Sequence, residues 1–169
     1  MRRGLLLSTA VAVLALVGTA AATAVRAPVE DGTLSVRDGR ATIQLRMKGG
    51  LIGRFTRGKI TVTHHGADSL VIRGAERVRV RNARTTVYSG KNIRFRITDD
   101  RKFVATIDAS KINLSAVGRG ETFRDGRGDP ANGIYFDGSY SRNGEDYRSI
   151  PDLRERWELA APASGDPGR

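Results

Sequence analysis

Between Thr33 and Phe123, apolar residues recur at every second position in short runs separated by turn residues, the period of a strand with one buried and one wet face. Leu34 and Val36 alternate with Ser35 and Arg37. Ala41, Ile43, Leu45 and Met47 alternate with Thr42, Gln44, Arg46 and Lys48. The pattern returns at Ile60 and Val62, Val78 and Val80, Ile93 to Ile97, Phe103 to Ala109, and Ile112 and Leu114. It predicts an all-β protein, a single antiparallel β-sandwich or flattened barrel of about ten short strands.

Register follows from requiring inward residues to face inward residues, because a slip of one position sends a whole apolar set into water. Asp38-Gly39 is a two-residue hairpin signal that would pair Val36 with Ala41 and Leu34 with Ile43. A turn at Asn82-Ala83 would set Val80 opposite Thr85 and Val78 opposite Val87. Loops at Ser89-Gly90-Lys91 and Asp99-Asp100-Arg101 would set Val87 opposite Ile93 and Ile97 opposite Phe103. Residues 76–109 thus read as a four-stranded meander. Gly49-Gly50, Gly53 and Gly58 interrupt the alternation, as at bulges or a bend where a sheet turns a corner. Residues 40–61 and 102–123 are faintly alike at an offset of 62, with Arg-Gly pairs at 57–58 and 119–120.

After Phe123 the chain turns to Asp, Gly, Asn and Ser, with turn signals at Asp125-Gly126, Asn132-Gly133, Asp137-Gly138 and Asn143-Gly144. Trp157 and Leu159 offer a last strand, expected beside the first, with Trp157 in the core. The small polar stretch 160–169 reads as a disordered tail.

The amino terminus changes the picture of where the protein works. Arg2 and Arg3, an uncharged apolar run from Leu5 to Val17, and Ala22-Thr23-Ala24 together read as a secretory signal peptide cut after Ala24, residues 1–24. The competing reading is an uncleaved anchor. Residues 25–159 form the expected single β-rich domain, exported to the cell envelope or beyond, with no membrane span after signal cleavage. The absence of cysteine excludes disulfides and thiolate metal sites.

With 29 basic against 18 acidic residues, the formal net charge is +11, which makes anions the natural counterparts. In the expected meander, Arg81, Arg84 and Arg96 share one outward row, Arg79, Thr86 and Arg94 the next, and Arg77, Tyr88 and Asn92 the third. Like charges facing each other across strands are destabilising, and a bound polyanion would relieve that strain through guanidinium forks suited to phosphate or carboxylate. The candidate anion site is therefore Arg77, Arg79, Arg81, Arg84, Arg94 and Arg96 with Thr86 and Tyr88. The competing reading is a soluble face that deters edge-to-edge aggregation.

Other chemistry is weaker. His64 and His65 point to opposite faces of a strand, His64 inward, and cannot easily share a metal; neither a metal nor a cofactor is expected. No nucleophile-elbow pattern surrounds any serine. The acids Asp125, Asp129, Asp137, Glu145 and Asp146 could pair for hydrolysis or hold calcium, but lack EF-hand spacing. Nucleic acid is disfavoured, since Tyr88 is the one obvious stacking residue.

The runs GGLIGRFTRGKITVT (49–63), TTVYSGKNIRFRI (85–97) and INLSAVGRGE (112–121) resemble a group of uncharacterised exported proteins from high-GC Gram-positive bacteria. The resemblance covers most of residues 32–159 and implies export and an all-β fold, with no activity or ligand attached. The expected function is a non-enzymatic binding or structural protein of the cell envelope, contacting an anionic polymer or lipid headgroups. The alternatives are a secreted hydrolase using loop carboxylates after Asp125 and an adaptor for another envelope protein. Oligomeric state is not legible in the sequence.

Overall fold

Alternating runs joined without a chain reversal at the bends between them yield three long strands and three short ones. These are β1 (Gly32–Thr63), β2 (Ser69–Asn82), β3 (Thr85–Gly126), β4 (Ser139–Arg142), β5 (Arg148–Ser149) and β6 (Glu155–Leu159). They form one antiparallel sheet in the order β2-β3-β1-β4-β5, with β6 paired to β3. The computed structural model describes residues 30–128 and 137–161. Among these there is no helix, and so none long and apolar enough to cross a membrane. The expected signal peptide, Asp129, Asn132-Gly133 and residues 162–169 of the expected tail lie outside them.

The sheet winds on itself because β1 and β3 pair along both of their edges. Ile43 pairs with Ile107 on one side and Arg124 on the other; Ile107 pairs in turn with Ile60, Ile60 with Tyr88, and Tyr88 with Val78. Following such pairings gives one layer of runs in the order 155–159, 120–126, 41–48, 103–110, 57–63, 85–90 and 77–82. A second layer follows the order 148–149, 139–142, 32–37, 112–118, 49–55, 93–98 and 69–73. Each long strand passes from one layer to the other, and the inward residues of both, from Leu34 and Leu51 to Ile60 and Ile107, share one core cluster.

The crossings sit where the backbone takes positive φ, at Asp38, Gly49, Gly58, Gly74, Gly90, Lys111, Gly118 and Gly120 among others. Gly49 pairs with Gly118 and Gly58 with Gly90, so neighbouring strands bend together. Gly58 and Gly120, 62 residues apart, share nearly the same φ (151° and 152°). A Cβ on either would strike the carbonyl of a residue related by the same offset, Asp108 for Gly58 and Arg46 for Gly120. The faint likeness between 40–61 and 102–123 thus has a structural counterpart.

Fewer and longer strands replace the ten short ones expected, and the hairpins of the sequence reading are the reason. Asp38-Gly39 does not reverse the chain: Val36 pairs with Leu114 and Tyr140, and Ala41 with Ala109 and Gly126. Asp38 has φ 50°, which here serves a corner within one strand. Ser89, Gly90 and Lys91 are not a loop but pair in sequence with Lys59, Gly58 and Arg57. Asp99 to Arg101 form a bulge, three residues of β3 between Asp99 and Phe103 facing one of β1 between Gly49 and Met47. The four-stranded meander at 76–109 therefore does not form. Its one true hairpin joins β2 to β3, with register shifted by one position: Val80 faces Thr86 and Val78 faces Tyr88. β6 exists, but Trp157 pairs with Thr122 of β3, not with the first strand, and is only partly buried against the core. Ala160 and Ala161, at the start of the expected tail, are hydrogen-bonded: the Ala160 carbonyl accepts from the Asn143 side chain and the Ala161 amide donates to the Glu30 carbonyl.

Candidate functional site

Strand alternation fixes what the second layer shows to solvent. In 49–55, Leu51 and Phe55 are buried, which turns Ile52 and Arg54 outward; in 93–97, Ile93, Phe95 and Ile97 are buried, which turns Arg94 and Arg96 outward. Leu70 and Ile72 pack on the core, leaving Val71 and Arg73 outside. Register then aligns these positions. Arg94 pairs with Arg54 on one side and Arg73 on the other, giving three guanidinium-bearing positions in one row. The next row carries Val71, Arg96, Ile52, Ser115 and Ser35.

A groove of about 520 Å³ lies along these two rows. Ile52 and Val71 form apolar parts of its floor and are 56% and 41% exposed, unusual for large aliphatic side chains on an outer face. Arg37, Arg54, Arg73, Arg94 and Arg96 line it, and Tyr147 closes one flank with Arg37 4.0 Å from its ring centre. Among the described residues none of these five arginines makes an ion pair with a carboxylate. Asp38, in an adjoining hollow, instead accepts a hydrogen bond from the Asn113 side chain at 3.4 Å. A second hollow of about 380 Å³ continues the groove past Ile52 toward Gly50 and Val117.

The sequence-predicted set is divided by this geometry. Arg94 and Arg96 lie in the groove. Arg77 and Arg79 pair with Ser89 and Val87 in the other layer, on the free edge strand, and Arg81 is exposed near the end of that strand. Arg84 is exposed in the β2–β3 turn, where its amide donates to Asn82 Oδ1 at 2.9 Å. Thr86 and Tyr88 pair with Val62 and Ile60, so they share the inward side and not the face of Arg77 and Arg79. The three expected rows do not form, because the β2–β3 hairpin is shifted by one position and the hairpin expected at 89–91 is not made. Sequence reasoning missed Arg37, Arg54 and Arg73; the signal for Arg54 was the Leu51–Phe55 parity, blurred by Gly53.

The remaining polar clusters are engaged differently. His64 lies beyond the end of β1 and is partly buried rather than inward beside Val62; its Nδ1 accepts from the amides of Gly66 and Ala67 at 3.1 and 3.0 Å, which caps a turn. Asp68, Asp99 and Asp100 each bring a carboxylate oxygen within 4.8 Å of the others, but Arg101 stands 3.8 Å from Asp99 and 4.0 Å from Asp100. Among the described residues the loop acids are engaged apart from one another: Asp125 lines a small hollow with Arg154, whereas Glu145 pairs with Arg142 and Arg148. Asp137 is buried beside Gly126 and Gly128, and Asp146 is exposed. Burial pushes the Asp137 carboxyl above its ordinary value, with Asp152 adding to the rise and the Gly128 amide and Arg40 opposing it.

Arg124 is fully buried, an exception to the rule that arginine stays wet. Its guanidinium lies 4.0 Å from the Tyr140 ring and donates to Glu155 at 2.7 Å. Burial holds its pKa below the ordinary value, while Tyr140 and Glu155 oppose that shift.

No protein-family model, curated protein or solved structure matches the chain.

Proposed function

We propose that the protein is an exported, non-enzymatic binding or structural protein of the cell envelope, whose arginine-bordered groove meets an anionic polymer or lipid surface. The observation that carries this reading is the row Arg73, Arg94 and Arg54: three like charges at directly paired positions, without a carboxylate partner among the described residues. A row of that kind is destabilising by itself, and an anion bridging it turns repulsion into charge-assisted hydrogen bonds. The working surface in this proposal is the groove, with Arg94 and Arg96 retained from the sequence reading and Arg37, Arg54 and Arg73 joining them.

The test is binding of the purified protein to anionic liposomes and to lipid-free teichoic acid, at low and physiological salt. A variant carrying Arg54, Arg73, Arg94 and Arg96 changed to Gln is compared with one carrying Arg77, Arg79 and Arg81 changed to Gln. The groove variant is expected to lose salt-sensitive binding while the edge variant keeps it, since exposed ionic contacts weaken as the screening length shortens. Equal binding by parent and groove variant would refute the assignment.

A further inference from the structure

Charge alone does not account for the groove. An outer face meant only for a polyanion would keep polar side chains beside its arginines, yet the row next to Arg73, Arg94 and Arg54 holds Val71 and Ile52, and Val117 follows, 48% exposed. Val71 and Ile52 flank Arg96 in one row, and Val117 lies diagonally beside Ile52 on the adjoining run, so apolar surface borders the Arg96 stem on both sides and continues past Ile52. At the far end Gly50 pairs with Thr98 and Val117, and a Cβ built on Gly50 would meet nothing within 4 Å. Gly50 takes no positive φ, so the backbone does not require glycine there. What its missing side chain provides is space in the hollow that prolongs the groove.

Head and strip are spatially ordered. Arg54, Ile52 and Gly50 are alternate residues of one run, so the outward positions step from cationic to apolar to open over roughly 13 Å. That is the reach of an extended acyl or prenyl chain and far more than a free anion needs.

Resting on the proposed anionic reading, we infer that the groove binds a single-chain lipid phosphate, its head held by Arg54, Arg73 and Arg94 and its chain laid over Val71 and Ile52 toward Gly50. Three guanidinium groups match a phosphate that offers several acceptor oxygens. Arg96, in the apolar row, covers the chain with its methylene stem while keeping its charge in water, as long basic side chains do beside apolar surface. The apolar strip supplies what a polymer of sugars and phosphates cannot use: each methylene buried contributes about fourfold in affinity.

The test uses dodecyl phosphate below its micellar concentration as the probe, with inorganic phosphate, dodecyl maltoside and lipid-free teichoic acid for comparison, measured by calorimetry on the purified full-length protein. Dodecyl phosphate is expected to bind one-to-one and at least a hundredfold more tightly than inorganic phosphate, with dodecyl maltoside weaker for want of the head. Gly50→Leu, which fills the hollow without a backbone clash, is expected to weaken dodecyl phosphate about tenfold or more and leave teichoic acid unchanged. Arg54→Gln with Arg94→Gln is expected to weaken both. Thermal unfolding of each variant confirms that it is folded. If Gly50→Leu binds dodecyl phosphate as the parent does, or if dodecyl phosphate binds no better than inorganic phosphate, the lipid inference falls while the anionic groove stands. If neither dodecyl phosphate nor teichoic acid binds the parent, or the arginine variant binds both unchanged, the anionic reading falls with it.

Discussion

Arg54 and Arg94 occupy directly paired positions on neighbouring antiparallel runs, both exposed and both turned away from the core. Nothing within the described residues offsets their repulsion with an ion pair, and Arg73 repeats the arrangement on the other side of Arg94. A surface that keeps such a row trades stability for a concentrated positive field.

That trade is measurable without any ligand. Arg94→Gln is expected to raise the unfolding free energy by a few tenths to about 1 kcal/mol in low salt. The gain should shrink at molar salt, where the screening length is about 3 Å. Urea unfolding at the two salt concentrations reads it, with Arg79→Gln, which faces Val87, as the comparison expected to change little. A loss of stability in Arg94→Gln would contradict the repulsion.

Neighbouring glycines should respond in opposite ways. Gly49 has φ 122°, and a Cβ there would collide with the carbonyl of Val117, so Gly49→Ala is expected to lower stability by about 3 kcal/mol. Gly50 has open space and ordinary backbone, so Gly50→Ala should be neutral or stabilising by about 0.5 kcal/mol through the unfolded chain. Thermal unfolding of the two variants side by side checks the assignment of the corner to Gly49.

The buried guanidinium of Arg124 gives a third expectation. Its Nε and Nη1 lack hydrogen-bond partners, so its charge rests on Glu155 and the Tyr140 ring. The Glu155 side chain is 44% exposed, which screens the pair, and Glu155→Gln is expected to cost about 1.5 kcal/mol. Arg124→Met, which removes the buried charge and keeps much of the volume, should be near neutral or stabilising. Denaturant midpoints of the two variants distinguish them, and a large loss in Arg124→Met would show that the cation itself organises this end of the core.

Asp137 makes stability depend on pH with a sign opposite to that of a salt-bridged carboxylate. Its carboxyl titrates above the ordinary 3.8 because burial disfavours the charged form. The folded state therefore holds this proton more tightly than the unfolded state, and the group's contribution is fully favourable below about 3.8. It is lost as pH rises through the raised folded value. Asp137→Asn is accordingly expected to be more stable than the parent at pH 7, with the difference vanishing toward pH 4. Unfolding free energies at several pH values read the effect; a difference that grew on acidification would refute it.

The amino-acid sequence by itself determined which side of most runs is wet; run 85–90 is the exception, where Thr86 and Tyr88, expected outside, share the inward side and Val87 pairs with the outward Arg79. Leu34, Ile43, Leu51, Ile93 and Ile107 are buried and their neighbours Ser35, Ile52 and Arg94 face outward, because a two-residue period leaves only two choices and the apolar set takes the core. It also marked Gly49 and Gly58 as places where alternation breaks. Partners were decided only by the tertiary structure. A positive φ at Asp38 or Gly90 serves a hairpin and a strand corner equally well in local terms, and the choice rests on whether Val36 finds Ala41 nearby or Leu114 far along the chain. Long-range burial favoured the latter, turning short strands into long wound ones. The groove followed from that choice, because Arg54, Arg73 and Arg94 come from β1, β2 and β3, and no local period can place them in one row.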